Sequence, residues 1–228
     1  MNLDSASFVE WLEARFLPEL PDFQWDDGAR TAILVIDLVR GFCDQGPLAS
    51  PRVDALVKPV GAFLQEAQRR GVKHFCFCCD EHPPDSPEFQ AFPPHCLAGS
   101  SESALHPHLS QLGLGQRFAK GALNGMLETG LPAYLQAHPE LDRFVLVGDC
   151  TDLCIFQTAM HLRMLANARG LSWQVVVVAN LVDTFDLPLT VAQSLGALPH
   201  PGDLCHAFAL YQLRLNGCRV ERYSSISA

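Results

Sequence analysis

Three residues in this 228-residue sequence have the types and surroundings that nucleophilic chemistry needs: Cys154, Asp37 and Lys120. Cys154 lies in VGDCTDLCIFQTAMHL, where an apolar run ends, a short turn intervenes, and Thr151 or Asp152 is placed to cap a helix. A thiol at a helix N-terminus feels the positive end of the dipole, which lowers its pKa, and has free backbone N–H groups that can hold an oxyanion. Asp37 ends the apolar run TAILVI, a position for a base in a partly dry crevice where a carboxyl pKa rises. Lys120, in QRFAKGALNG, stabilises a thiolate if the fold brings it to Cys154. Each has a plain alternative, since buried cysteines fill cores, strand-end aspartates cap turns and most lysines are solvated.

A second group has the character of a metal centre. CDEHPPDSPEFQAFPPHCLAGS contains Asp80-x-His82, then Glu88 and His95. A carboxylate and an imidazole one residue apart on an extended loop can grip a single ion, and a second imidazole completes three protein ligands with positions left open. Two imidazoles and a carboxylate call for one divalent metal ion, zinc ahead of iron or manganese. Glu88 is a fourth candidate, touching the ion directly or through water.

The elements that must position these residues follow from periodicity. Phe8, Trp11, Leu12 and Phe16 recur at helical spacing behind a Ser7-x-x-Glu10 capping box, so the chain opens with an amphipathic helix ended by Pro18, Pro21 and Gly28. Thr31 to Leu38 reads as a strand buried on both faces, as do Val72 to Cys79, Arg143 to Gly148 and Trp173 to Ala179. Val53 to Arg70 reads as a helix that Pro59 kinks or splits, and Asp152 to Ala168 and Asp203 to Leu215 read as two more. Strands alternating with helices imply right-handed crossovers and an α/β fold: a three-layer α-β-α sandwich around a mostly parallel sheet. Such sheets bind ligands outside their C-terminal strand ends, where Asp37, the Asp80 loop and the Cys154 turn all fall. Glu81 to Gly121 is the longest irregular stretch.

Composition bounds the rest. A chain of this length with 48% hydrophobic residues can bury a full core, and we read one domain over 1–228 with an N-terminal helical extension to about residue 28. A net charge of -9 leaves no basic surface for a phosphate backbone, so nucleic acid is excluded as a partner. No apolar run is long enough for a membrane helix, and the acidic N-terminus is unlike a signal peptide, so the expected location is cytoplasmic, with the nine cysteines reduced.

On these motifs the chain resembles the isochorismatase-like cysteine hydrolases and, among them, the nicotinamidases (pyrazinamidases). ILVIDLVRGFC is similar to the family's Asp-bearing first strand, FAKGALNG to its lysine segment and VGDCTDLCIFQTA to its nucleophile turn. The resemblance, which has a Rossmann-like topology, implies a catalytic triad of Asp37, Lys120 and Cys154. It also implies a cis peptide at Asp149-Cys150 and an oxyanion hole made by the backbone N–H groups of Cys150 and Cys154. It further implies a metal held by Asp80, His82 and His95, and a pyridine ring clamped by Phe42 and Phe92. The expected activity is hydrolysis of nicotinamide to nicotinate and ammonia through a thioester, by a homo-oligomer acting on a small-molecule amide. The alternatives are a related hydrolase of another small amide, ureide or vinyl ether, and a non-catalytic α/β binding module.

Overall fold

The computed structural model describes residues 4–224. Its first helix, α1 (Ser5–Trp11), continues into a π-helical turn, Leu12–Phe16, that buries Leu12 and Phe16. The capping box expected at Ser7 and Glu10 is not what starts it. Asp4 is the N-cap, its carboxylate accepting from both the backbone N–H and the hydroxyl of Ser7 at 2.8 Å. An ionised acceptor at the positive helix end outcompetes a neutral hydroxyl one turn later.

After a 3-10 turn at Gly28–Arg30 come β1 (Thr31–Ile36), α2 (Arg40–Cys43), α3 (Pro51–Asp54), α4 (Val57–Arg69) and β2 (His74–Asp80). The expected Val53–Arg70 helix is therefore split: the chain breaks at Ala55–Leu56, and Pro59 sits in the first turn of α4, where a missing N–H costs nothing. Val57, Val60, Phe63, Leu64 and Ala67 form the buried stripe of α4.

The stretch 81–121 is not wholly irregular, because it contains α5 (Pro107–Ser110) and β3 (Gln116–Lys120). β3 escaped the sequence reading as an edge strand of five residues with Gln116 and Arg117 exposed, too short and too polar for a buried-strand pattern. Then follow α6 (Leu131–Ala137), β4 (Arg143–Asp149), α7 (Cys154–Arg169), β5 (Gln174–Asp183), α8 (Leu189–Leu195), α9 (Gly202–Leu215) and β6 (Arg219–Glu221).

The six strands of the described residues lie in the order β3-β2-β1-β4-β5-β6, every pairing parallel. Alternate residues of β1 face opposite cores. Ala32, Leu34 and Ile36 pack with Ile155, Ala159 and Leu162 of α7, Leu210 and Leu213 of α9, and Leu12 and Phe16. Ile33 and Val35 pack with Val60, Phe63 and Leu64 of α4. This is the three-layer α-β-α sandwich, with a fully parallel sheet. The connection direction reverses between β1 and β4, which opens a crevice at their C-terminal ends. Among the described residues no helix is long and apolar enough to cross a membrane.

Candidate active site

Asp37 is the first residue beyond β1, held at φ 54 with its N–H donating to Cys78 O at 2.9 Å. Aspartate is one of the few non-glycine residues that enter this left-handed region readily. The bend turns its carboxylate sideways to accept from the Asp80 N–H at 2.8 Å through Oδ1. Across the switch point, the next-to-last residue of β4 is Gly148, with φ 115, where an added Cβ would stand 2.0 Å from Ile36 O; only glycine lets β4 lie this close to β1. The next peptide, Asp149-Cys150, is cis, as the resemblance implied. Among the described residues, neither the Cys150 nor the Cys154 backbone N–H donates in a hydrogen bond, and Cys154 begins α7.

β3 supplies the third side chain. Its register pairs Lys120 with Asp80 at the ends of two parallel neighbours, so both side chains leave the sheet on one face. Lys120 Nζ lies 2.6 Å from Asp80 Oδ1, 2.8 Å from Asp37 Oδ2, 3.1 Å from Ala122 O and 3.5 Å from Cys154 Sγ. The approach to Asp37 Oδ2 has an ion-pair distance but lies off the hydrogen-bond line, so that oxygen keeps a lone pair free for another proton. All three residues expected to form a triad are thus brought into one buried cluster.

Burial sets the charge states. It raises the Asp37 carboxyl to about 6, with Lys120 opposing the rise and Asp80 adding to it. Burial likewise pushes the Cys154 thiol well up, Lys120 only partly offsetting it. The direction is opposite to the lowering expected from the helix N-terminus, with burial its largest cause. The thiol is protonated and needs a base. Lys120 remains charged: burial disfavours its cation, but Asp37, Cys154 and Asp80 together raise its pKa.

The residues of the second motif also converge. Asp80 Oδ2 lies 2.8 Å from His82 Nε2 and 3.1 Å from His95 Nε2, and Glu88 Oε1 stands 3.8 and 3.9 Å from the same two nitrogens. One donor atom from each of these four residues lies within 4.8 Å of the others. The far ring nitrogens are also engaged: His95 Nδ1–H donates to Pro93 O at 2.8 Å, and Ser86 Oγ lies 3.3 Å from His82 Nδ1. That arrangement aims both Nε2 atoms at the carboxylates, the orientation a divalent cation needs. Burial would raise the Asp80 pKa, yet Lys120, His82 and His95 hold it below the usual range, and burial beside Asp80 raises that of Glu88. The donor set fits a divalent transition metal.

A cavity of about 340 Å³ opens above both clusters, lined by Asp80, Glu88, His95, Cys150 and Cys154 together with Phe42 and Phe92. Phe42 and Phe92 both approach His95, with ring centroids at 5.5 and 6.3 Å. Sequence reasoning missed Phe89, which stands 5.5 Å from the His82 ring and 5.6 Å from that of His95. It also missed the two histidines that hold the Cys154 turn: His206 Nδ1 meets Thr151 Oγ1 at 2.8 Å, and His200 Nε2 meets Asp152 Oδ2 at 2.7 Å. Both come from the α8–α9 region, about 50 residues downstream, and no local spacing could have announced them.

Comparison with known proteins agrees with this geometry. A family model described as "Isochorismatase domain" matches residues 31–202. Nicotinamidase 1 of Arabidopsis thaliana is 32% identical over 206 residues, 82% of this chain and 84% of that protein. The crystal structure of a pyrazinamidase/nicotinamidase from Streptococcus mutans UA159 aligns with TM-score 0.66 at 25% identity, over 83% of this chain and 99% of that one. N-carbamoylsarcosine amidase from Thermoplasma acidophilum aligns with TM-score 0.65 at 25% identity, covering 87% and 99%. The family match spans β1, β3 and the turn into α7, the segments that carry Asp37, Lys120 and Cys154, and this chain belongs to the isochorismatase family.

Proposed function

We propose that this chain is an amidohydrolase that converts nicotinamide to nicotinate and ammonia. The observation that carries the reading is the position of Lys120: one ammonium touches Asp37, Cys154 and Asp80, so nucleophile and candidate metal loop form a single site. Relatives named nicotinamidase support the substrate, and a partly aromatic cavity of about 340 Å³ is ample for one pyridine ring.

In this reading Asp37 accepts the Cys154 thiol proton, and Lys120 stabilises the thiolate that forms. Sulfur attacks the carboxamide carbon, and the N–H groups of Cys150 and Cys154 hold the oxyanion. Asp37 returns the proton to nitrogen, the C–N bond breaks, and ammonia leaves a thioester. Asp37 then takes a proton from water, hydroxide adds to the thioester carbon, and nicotinate departs as the thiolate is reprotonated. Asp80, His82 and His95, with Glu88 beside them, would hold a divalent ion, zinc first, which when bound supplies a Lewis acid for the ring nitrogen. Phe42 and Phe92 flank the ring.

The test is ammonia release from nicotinamide, pyrazinamide and several aliphatic amides, with and without a chelator. Nicotinamide and pyrazinamide should be hydrolysed well ahead of the aliphatic amides, and chelation should suppress both. Hydrolysis of aliphatic amides alone, or none at all, would sink the proposal.

A further inference from the structure

β2 ends at Asp80 in the candidate active site and begins at His74, about 20 Å away at 3.3 Å per residue. At that far end stands another set of ligand-type side chains: one donor atom each from His74, His138 and Glu140 lies within 4.8 Å of the others. His138 Nδ1 is 3.0 Å from Glu140 Oε1, and His74 Nε2 is 3.9 Å from the same oxygen. We propose that His74, His138 and Glu140 form a second binding site, separate from the active site, for a zinc-class divalent cation.

Two features favour a site over a chance cluster. First, the Leu141 N–H donates to His138 O at 3.1 Å, closing a turn after α6 that brings Glu140 Oε1 within 3.0 Å of His138 Nδ1. The turn presents an imidazole and a carboxylate together. Second, the Tyr134 hydroxyl lies 2.8 Å from His74 Nδ1. When that hydroxyl accepts from Nδ1–H, the Nε2 lone pair is left facing His138 and Glu140, the usual outer support of a ligating histidine. Two nitrogens and one carboxylate oxygen suit zinc, with solvent completing the shell at a half-exposed site. The ion would tie the start of β2 to the loop after α6.

This inference does not rest on the proposed activity, and the two fail separately. Purified enzyme is dialysed against micromolar zinc and its metal content measured alongside ammonia release. Wild type should bind two equivalents. His138→Ala should bind one and keep its activity, whereas His95→Ala should lose the other equivalent. Tyr134→Phe keeps the ring but removes the hydroxyl, and should weaken the second site by about 10-fold or more with unchanged activity. The proposal is overturned if His138→Ala binds as much zinc as wild type, or if Tyr134→Phe leaves zinc affinity unaltered.

Discussion

Lys120 and Asp80 are cross-strand partners at the ends of β3 and β2, and their side chains meet at 2.6 Å with almost no exposure to solvent. A buried charge pair is stable only when each partner's remaining hydrogen-bonding capacity is met. Here Asp80 is also approached by two histidines, and Lys120 by Asp37 and Ala122 O.

Removing the ammonium should therefore cost more than activity. Lys120→Met leaves Asp37 and Asp80 as two buried carboxylates without their shared cation, and should destabilise the fold by about 3–5 kcal/mol in urea denaturation. Adding Asp37→Asn should recover part of that loss. Additive losses in the double variant would show that the two residues do not interact.

Cys154→Ala should lower ammonia release by about 10⁴-fold or more, since nothing else in the cluster can form the acyl bond. The thermal midpoint should barely move. Retained turnover would remove Cys154 as nucleophile.

In the proposed mechanism Asp37 is a base, a role open to it only when ionised, and burial has raised it to about 6. Turnover should therefore climb as pH rises through about 6 and level off above it. A pH–rate profile with no acidic limb there would contradict the assignment.

The His200–Asp152 pair links the α8–α9 region to the Cys154 turn. Burial opposes the His200 cation, but Asp152 raises its pKa above the ordinary 6.5; Asp152, despite burial, is lowered below 3.8 by His200. The histidine's contribution is complete below pH 6.5 and fades as pH rises through its folded value. The aspartate's is complete above 3.8 and fades as pH falls through its own. His200→Gln should thus be destabilising chiefly between about pH 4 and 6.5, with a smaller gap from wild type at pH 9, as read by urea unfolding. A gap that grows with pH would rule out an ion pair.

Phe92→Ala should raise KM for nicotinamide about 2- to 10-fold with kcat nearly unchanged, the size of one ring-face contact. A loss confined to kcat would place the ring elsewhere.

The sheet and the main candidates were legible because they are local. TAILVI, HFCFCC, RFVLVG and WQVVVV are apolar runs that only a doubly covered parallel sheet buries, and a polar residue ending such a run marks a strand end. Asp37, the Asp80 loop and the Cys154 turn were placed by that rule alone. β3 was not, because an edge strand with one solvated side carries too little apolar signal. Without it Lys120 had no visible reason to meet Asp80, a contact set by parallel register.

Tertiary structure also decided what local sequence pointed the wrong way on. A helix N-terminus argues for a depressed thiol pKa, but Cys154 is only 6% exposed, and loss of water raises it beyond what Lys120 restores. His200 and His206 reach the Cys154 turn through contacts about 50 residues long in sequence. The sequence by itself determined which residues stand at strand ends, because periodicity is a property of neighbours. Which of them touch, and which keep their protons, was decided only by the fold, because strand register and water exclusion belong to the packed molecule.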